Sequence, residues 1–508
     1  TNVQFVAADA VFPPLTDIRD LRLVDVDLDG RLDLAVLHGN SLTILARPRG
    51  KQSWEKLIDT AVPAGMRRLV VADLDRDEAK LFVSPSEDAA DESNGNKKQA
   101  EVAITPEYRL LQTCKQAFPD FLLHGSDGIA IVRNQMSGAA EKTAPTGGSL
   151  RKLTLVDLAE GLAQIGNVTA AALVDFDHDQ DLDLALAVEG KGIRLWRMLG
   201  NGTFRFEDYS PWSVLPSRDG RIAELAIVDW NRDLYIDILA CYESLNPKGE
   251  TSLAPQLLAN QRHGQFLDEP LGAEFEALAN STAIAPIELD GNASWDLVGL
   301  GESGFQTILT TTPGPGKVSF LKGLPAVKAR GRRMLTWDYD NDTHTDLLVW
   351  GEKGAAIVRG TPDGFQPLDS RLLGGVPSDG LVVVDYGDLD GDHDLDLVAA
   401  TADKLVSIKN DGGNANQSLV FYVTGAWNGQ NVGANNSAIG TGVETRTPGR
   451  YQAQVISRQP VHIGLGAAKA ADLVRLIFTN GIPRSAGGTC VSEIFCEEQI
   501  IHGSCPFV

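Results

Sequence analysis

The sequence predicts an all-β protein: a seven-bladed β-propeller of four-stranded blades, each carrying a Ca loop, followed by a small β domain. Three observations predict it. A carboxylate-rich cassette recurs seven times along the 508 residues. Runs rich in Val, Leu, Ile and Ala flank each cassette, as half-buried strands require. The cassettes start about 50 to 60 residues apart once one insertion is set aside, which is room for four short strands.

Composition narrows the alternatives. A hydrophobic content of 43% supports a large core, so the net charge of -23 does not describe a disordered acidic chain. No apolar run approaches the roughly 18 residues of a membrane-spanning helix. A pI near 4.7 repels nucleic-acid phosphates. The carboxylates are then either a solvated surface or a set of cation ligands, and their spacing favours ligands.

In each cassette, acids stand at positions 1, 3, 5 and 9 of a short loop between apolar runs. Four copies are complete: Asp25, Asp27, Asp29 and Asp33; Asp175, Asp177, Asp179 and Asp183; Asp338, Asp340, Asp342 and Asp346; Asp388, Asp390, Asp392 and Asp396. Two are diluted by amides: Asp229, Asn231, Asp233 and Asp237; Glu288, Asp290, Asn292 and Asp296. The seventh is split. Asp73, Asp75 and Asp77 are followed by Leu81 at position 9, and the missing half reappears as FPDFLLHGSDGIAIVRN. Asp120 is therefore the expected ninth-position ligand, with residues 78–118 as an insertion in the second blade.

Calcium takes six to eight oxygens at about 2.3–2.6 Å, and alternate residues of a tight loop can turn theirs toward one centre. An EF-hand would need helical flanks and a Glu at position 12. Here the flanks read as strands, so each cassette is a hairpin with a cation in its turn. Up to seven Ca²⁺ are expected. More than a third of the 68 acidic residues belong to these loops, and seven divalent ions would offset more than half of the net charge. In the insertion, TPEYRLLQTCKQAF reads as a short helix with Thr105 as N-cap. Residues 137–149 read as a second loop.

A third strand such as GIRLWRM follows each hairpin, then a fourth such as FRFEDYS. The last unit stops after its third strand near Asn410. The opening VQFVAADAVFPPL is expected to complete it, which removes a free sheet edge. These repeats resemble the FG-GAP/VCBS type of integrin-like propellers, over nearly all of residues 1–412. Residues 413–485 read as a small β domain. Asn436-Ser437-Ala438-Ile439-Gly440, His462-Ile463-Gly464-Leu465-Gly466 and Asp472-Leu473-Val474 make it resemble the ASPIC/UnbV domain. Phe478-Thr479-Asn480-Gly481 departs from the Trp-Pro-x-Gly ending more usual there. The two together resemble the cartilage acidic protein-like family, which implies a secreted or surface-exposed calcium-binding protein.

Residues 486–508 read as a tail holding Cys490, Cys496 and Cys505, with a Cys490–Cys496 or Cys496–Cys505 bridge expected in an oxidising compartment. The Thr-Asn-Val-Gln start reads as a processed or trimmed end, and the apolar Cys-Pro-Phe-Val end as the beginning of something further. No HExxH or GxSxG motif or Cys/His nucleophile pattern is present, so the chain is not read as an enzyme. His178, His344 and His393 lie inside the loops and are expected to face solvent. His462 is expected as a satisfied core or turn histidine, and the recurring tryptophans as core.

The functional expectation is an extracytoplasmic protein, extracellular, cell-surface or periplasmic, with structural Ca²⁺. It would serve adhesion, scaffolding or assembly, with a protein or glycan at the cell surface as partner. The alternatives are a lectin or polysaccharide-active enzyme using the propeller mouth or blade grooves, and a subunit of a filament or other homo-assembly. Fold alone does not choose among them.

Overall fold

A computed structural model describes residues 4–48, 51–75, 118–136, 151–200, 204–211, 215, 218, 220–243, 253–262, 264–301, 304–310, 318–320, 333–351, 354–362, 364–368, 373–412, 416–425, 435–490 and 493–498. Asp77, the expected helix apart from Phe118, and the 137–149 loop lie outside these residues.

The protein is all-β with a β-propeller fold. Among the described residues, seven four-stranded antiparallel sheets succeed one another up to Asp411. Their first, innermost strands are Ile18–Val24, Met66–Ala72, Val168–Val174, Arg221–Val228, Ser281–Ile287, Arg333–Trp337 and Leu381–Gly387. The second strands begin at the ninth-position aspartates: Asp33–His38, Asp120–Gly125, Asp183–Val188, Asp237–Glu243, Asp296–Gly301, Asp346–Gly351 and Asp396–Thr401. These second strands are almost wholly buried, because both faces of each sheet are covered by its neighbours. That is why they read as continuous apolar runs.

An apolar cluster fills each gap between successive sheets. Leu37 and Ile44 meet Leu69 and Phe121 between the first and second sheets. Val36 and Leu45 meet Val383 and Val398 between the first and the seventh. Gln4–Ala7 pairs antiparallel with Lys404–Asp411, with Phe5 opposite Asn410, and so supplies the outer strand of the seventh sheet. Phe5 is fully buried and stacks on Trp337 at 5.9 Å.

The remaining residues form two further sheets around their own core of Leu419, Phe421, Val443, Ile463 and Leu476. One sheet joins Val461–Gly466, Gln417–Thr424 and Glu493–Glu497; the other joins Arg450–Val455, Gly442–Thr447, Ala470–Ile477 and Pro483–Cys490. The division expected at 485/486 is therefore crossed by a strand. Residues 493–497 are also built into the domain, pairing in parallel with Gln417–Thr424. Cys490 and Cys496 fall in different sheets, and Cys496 is a free thiol, so neither expected bridge through it forms.

Candidate metal centres

The loop after each inner strand is built the same way. In all six loops described throughout, positions 4 and 6 are left-handed: Leu28 and Gly30, His178 and Gln180, Arg232 and Leu234, Gly291 and Ala293, Asn341 and Thr343, Gly391 and His393. Side chains tie the coil together. Asp25 accepts the Asp29 and Gly30 amides at 3.0 and 2.8 Å, Asp229 those of Asp233 and Leu234, and Asp338 those of Asp342 and Thr343. The position-5 side chain accepts from the amide two residues on, as in Asp29, Asp179, Asp233, Asn292, Asp342 and Asp392.

Position 9 has a separate task. In every sheet its Oδ2 accepts the amide of loop position 2: Val26 to Asp33, Leu74 to Asp120, Phe176 to Asp183, Trp230 to Asp237, Leu289 to Asp296, Tyr339 to Asp346 and Leu389 to Asp396. In five sheets its Oδ1 also accepts an amide at the end of the third strand, from Asn134, Met198, Asn260, Gly360 or Asn410. The ninth residue thus pins loop, second strand and third strand whatever else it binds. This explains why it is Asp in all seven copies while positions 1, 3 and 5 vary. Each oxygen keeps a second lone pair for a cation.

The structure brings three carboxylates together in five loops, with ligand oxygens all within 4.8 Å of one another: Asp25, Asp27 and Asp29; Asp73, Asp75 and Asp120; Asp175, Asp177 and Asp183; Asp338, Asp340 and Asp346; Asp388, Asp390 and Asp396. The displaced Asp120 joins its group across the insertion. Asp33 is in no such triad; Asp179, Asp342 and Asp392 bond the loop backbone instead. The two amide-diluted loops form no triad of carboxylates among the described residues. There the amide does part of a cation's work: Asn231 Nδ2 donates to Asp233 at 3.1 Å and Asn292 Nδ2 to Asp290 at 3.0 Å.

The electrostatics fit a hard divalent cation. Burial pushes Asp338 well up, with Asp342 and Asp340 adding repulsion. Burial raises Asp175 to about 7, Asp396 to about 7 and Asp237 to about 8. Asp175 Oδ1 and Asp340 Oδ1 are buried without a hydrogen-bond donor. Buried oxygens lacking donors, beside carboxylates that repel one another, are what an oxygen-seeking cation resolves. A base at the end of the third strand offsets some of the charge. Arg133 pairs with Asp75, Arg197 with Asp177 and Asp179, Arg359 with Asp340 and Asp342, and Lys409 with Asp390 and Asp392. The diluted fourth loop has Ala259 at the equivalent place, one residue before Asn260. This base was visible in VRN, WRM, VRG and IKN, but it looked like an ordinary exposed strand end.

Sequence reasoning missed what covers the loops. The C-terminal domain lies on them through Asn436, Ser437, His462, Gly464, Gly466 and Thr479. Asn436 Nδ2 donates to Asp73 at 2.8 Å, and Ser437 Oγ accepts the Asp73 amide at 2.7 Å. Thr479 Oγ1 donates to Asp175 at 2.9 Å. The Gly466 amide donates to the Asn341 carbonyl at 2.7 Å, and His462 Nε2 meets the His393 carbonyl at 3.1 Å. A Cβ on Gly464 would stand 2.0 Å from Asp338 Oδ2, so only glycine fits there. Arg458 enters the central channel, pairs with buried Asp385 at 2.7 Å and covers the Tyr386 ring at 4.3 Å.

Two loop histidines also differ from expectation. His178 stacks on Tyr235 of the next loop at 4.3 Å, and His344 bonds Asp342, its side chain 15% exposed. Both are half-buried, His178 against the next loop and His344 within its own. His393 does face solvent. His462 is half-buried and held neutral, its pKa pushed down by desolvation to about 4. Trp196, Trp230, Trp295, Trp337 and Trp350 are all core residues.

Comparison with known proteins gives a family match, and the solved structures that match include two remote folds. No curated protein matches the chain. A lectin of Agrocybe aegerita, described as specifically recognising non-reducing terminal N-acetylglucosamine, is 14% identical over 79% of this chain and 95% of its own, with a TM-score of 0.44. Saccharomyces cerevisiae Sqt1 is 10% identical over 75% of this chain and 81% of its own, with a TM-score of 0.40. The family model for the FG-GAP-like repeat matches residues 175–240 and 338–399, the regions of the third-to-fourth and sixth-to-seventh sheets, so the chain carries FG-GAP-like repeats in two regions.

Proposed function

We propose that the chain is a calcium-binding, seven-bladed propeller whose ASPIC/UnbV-like C-terminal domain, with the strands at 483–490 and 493–497, is clamped over its cation loops. The observation that carries this reading is the recurrence of a carboxylate triad in five loops, drawn from positions 1, 3 and 9 in four of them and from positions 1, 3 and 5 in the first. Calcium would be structural in these five loops. Position 1 and 3 carboxylates would hold it, the ninth aspartate would anchor the cage to the sheet, and the third-strand base would orient the outer oxygens. The two amide-diluted loops need it least.

The proposed setting is outside the cytoplasm, where millimolar calcium fills sites of the 10⁻⁴–10⁻³ M class typical of extracellular modules. A rigid, cation-locked body with one face closed by a second domain suits adhesion or scaffolding, with a protein or glycan as partner. Calorimetry tests the calcium reading. Adding EGTA lowers the melting temperature by roughly 10 °C or more, and Ca²⁺ restores it where equimolar Mg²⁺ does not. Identical melting in EGTA and in Ca²⁺ refutes it.

A further inference from the structure

The face opposite the carboxylate loops, where the inner strands begin, is built for a different ligand. Six of the seven inner strands open with a β-bulge, among them Ile18/Asp20, Met66/Arg68 and Ile222/Glu224. A bulge leaves one residue unpaired and re-aims its side chain. Arg19 and Arg67 occupy two of these positions. They border a cavity of about 550 Å³ at the channel mouth, lined also by Arg68, Arg221 and Arg333. Glu243 is the one acidic residue in this lining. Five guanidiniums therefore converge in a chain whose net charge is -23.

A solvated rim would pair its arginines with rim acids, and only some of these are so paired. Arg221 pairs with Glu243, and Arg19 with Asp17 and the Met66 carbonyl. Arg333 reaches Asp20 only at 3.6 Å, and that carboxylate already serves Arg22 at 3.1 Å and the Leu69 amide at 3.0 Å. The guanidiniums of Arg67 and Arg68 have no hydrogen bond or ion pair among the described residues. Arg68 sits deeper. Burial pushes its pKa down, Asp20 and Glu224 oppose that, and Arg22 and Arg221 add to it. A guanidinium remains charged at any physiological pH and offers a planar fork of donors. Here that fork opens on a cavity in which the one carboxylate, Glu243, already pairs with Arg221.

We propose that this mouth binds a tetrahedral oxyanion, sulfate or phosphate, free or as an ester on a larger molecule, with Arg68 as its floor and Arg67 and Arg333 as flanking donors. Bidentate arginine contacts in a partly dry cavity are the strong form of such recognition. Its position leaves it independent of what fills the loops on the other face.

The test is a calorimetric titration of the full chain with sodium sulfate, at ionic strength held constant with sodium chloride. Sulfate is used because phosphate precipitates calcium. One-to-one saturable binding is expected, with about tenfold or greater loss in Arg68→Met. Arg67→Ala, an exposed change, is expected to weaken binding while leaving the melting temperature unchanged. Galactose 6-sulfate in the same titration distinguishes the sources. Tighter binding than sulfate assigns an ester-borne anion, equal binding assigns the free ion, and either supports the site. No saturable binding by the unaltered chain, or unchanged affinity in both variants, overturns it.

Discussion

At the residue scale, the seven ninth-position aspartates and the acids before them do different work. Asp183 accepts two buried amides, from Phe176 and Met198, while Asp177 faces Asp175 and Arg197. Asp183→Ala leaves two donors unmet and costs about 3 kcal/mol even without calcium, and more with it, because Asp183 also belongs to the triad. Asp177→Ala lowers stability only when calcium is present. Equal losses in calcium-free protein, measured by denaturant unfolding, would contradict this division. The buried carboxylates also set a pH dependence. Asp175, Asp237 and Asp396 have folded pKa values raised to about 7, 8 and 7, against about 3.9 in an unfolded chain. A raised folded value means the stability is fully present below the unfolded pKa and is lost as pH climbs through the folded one. Metal-stripped protein should therefore melt at progressively lower temperature from about pH 5 to about pH 8, and calcium should flatten the slope. A stripped protein that gains stability over that range would count against the assignment.

At the element scale, the loops were legible and their cover was not. Acid spacing located the loops, and the return of the strand pattern in FPDFLLHGSDGIAIVRN predicted that Asp120 rejoins Asp73 and Asp75, because the pattern is local on each side of the insertion. Sequence could not show that Leu28, Gln180 and Thr343 adopt the left-handed backbone that glycine adopts at Gly30 and Gly391. That geometry is imposed by side-chain acceptors at positions 1 and 5, not by residue preference. Nor could it pair Thr479 with Asp175, which are 304 residues apart. Asn436, Ser437, His462, Gly464 and Gly466 of the C-terminal domain are contact residues on the loops. Gly464 shows this most sharply. Gly464→Ala places a methyl against Asp338 Oδ2 and the Asn341 backbone. The expected result is a C-terminal domain that limited proteolysis frees from an intact propeller. Unchanged digestion would show that this contact does not hold the domain.

At the scale of the whole molecule, the two ends of the channel have opposite character. One is closed by Arg458 on Asp385 beneath the C-terminal domain, ringed by carboxylate loops; the other opens through arginines raised on bulges. The all-β class and four-stranded units followed from period and repeat length. The arginine mouth did not, because Arg19, Arg67, Arg68, Arg221 and Arg333 are scattered along the chain and converge only when the inner strands are side by side. More than a third of the acidic residues belong to the loops that follow the inner strands. Calcium should then be a stoichiometric part of the folded body, not a loosely held counter-ion. The direct measurement is metal content by elemental analysis after exhaustive dialysis against calcium-free buffer without chelator. About five Ca²⁺ per chain, removed together with the C-terminal domain's protease protection when EGTA is added, is the predicted result. Fewer than about one Ca²⁺ in a chain that remains folded and fully protected would contradict it.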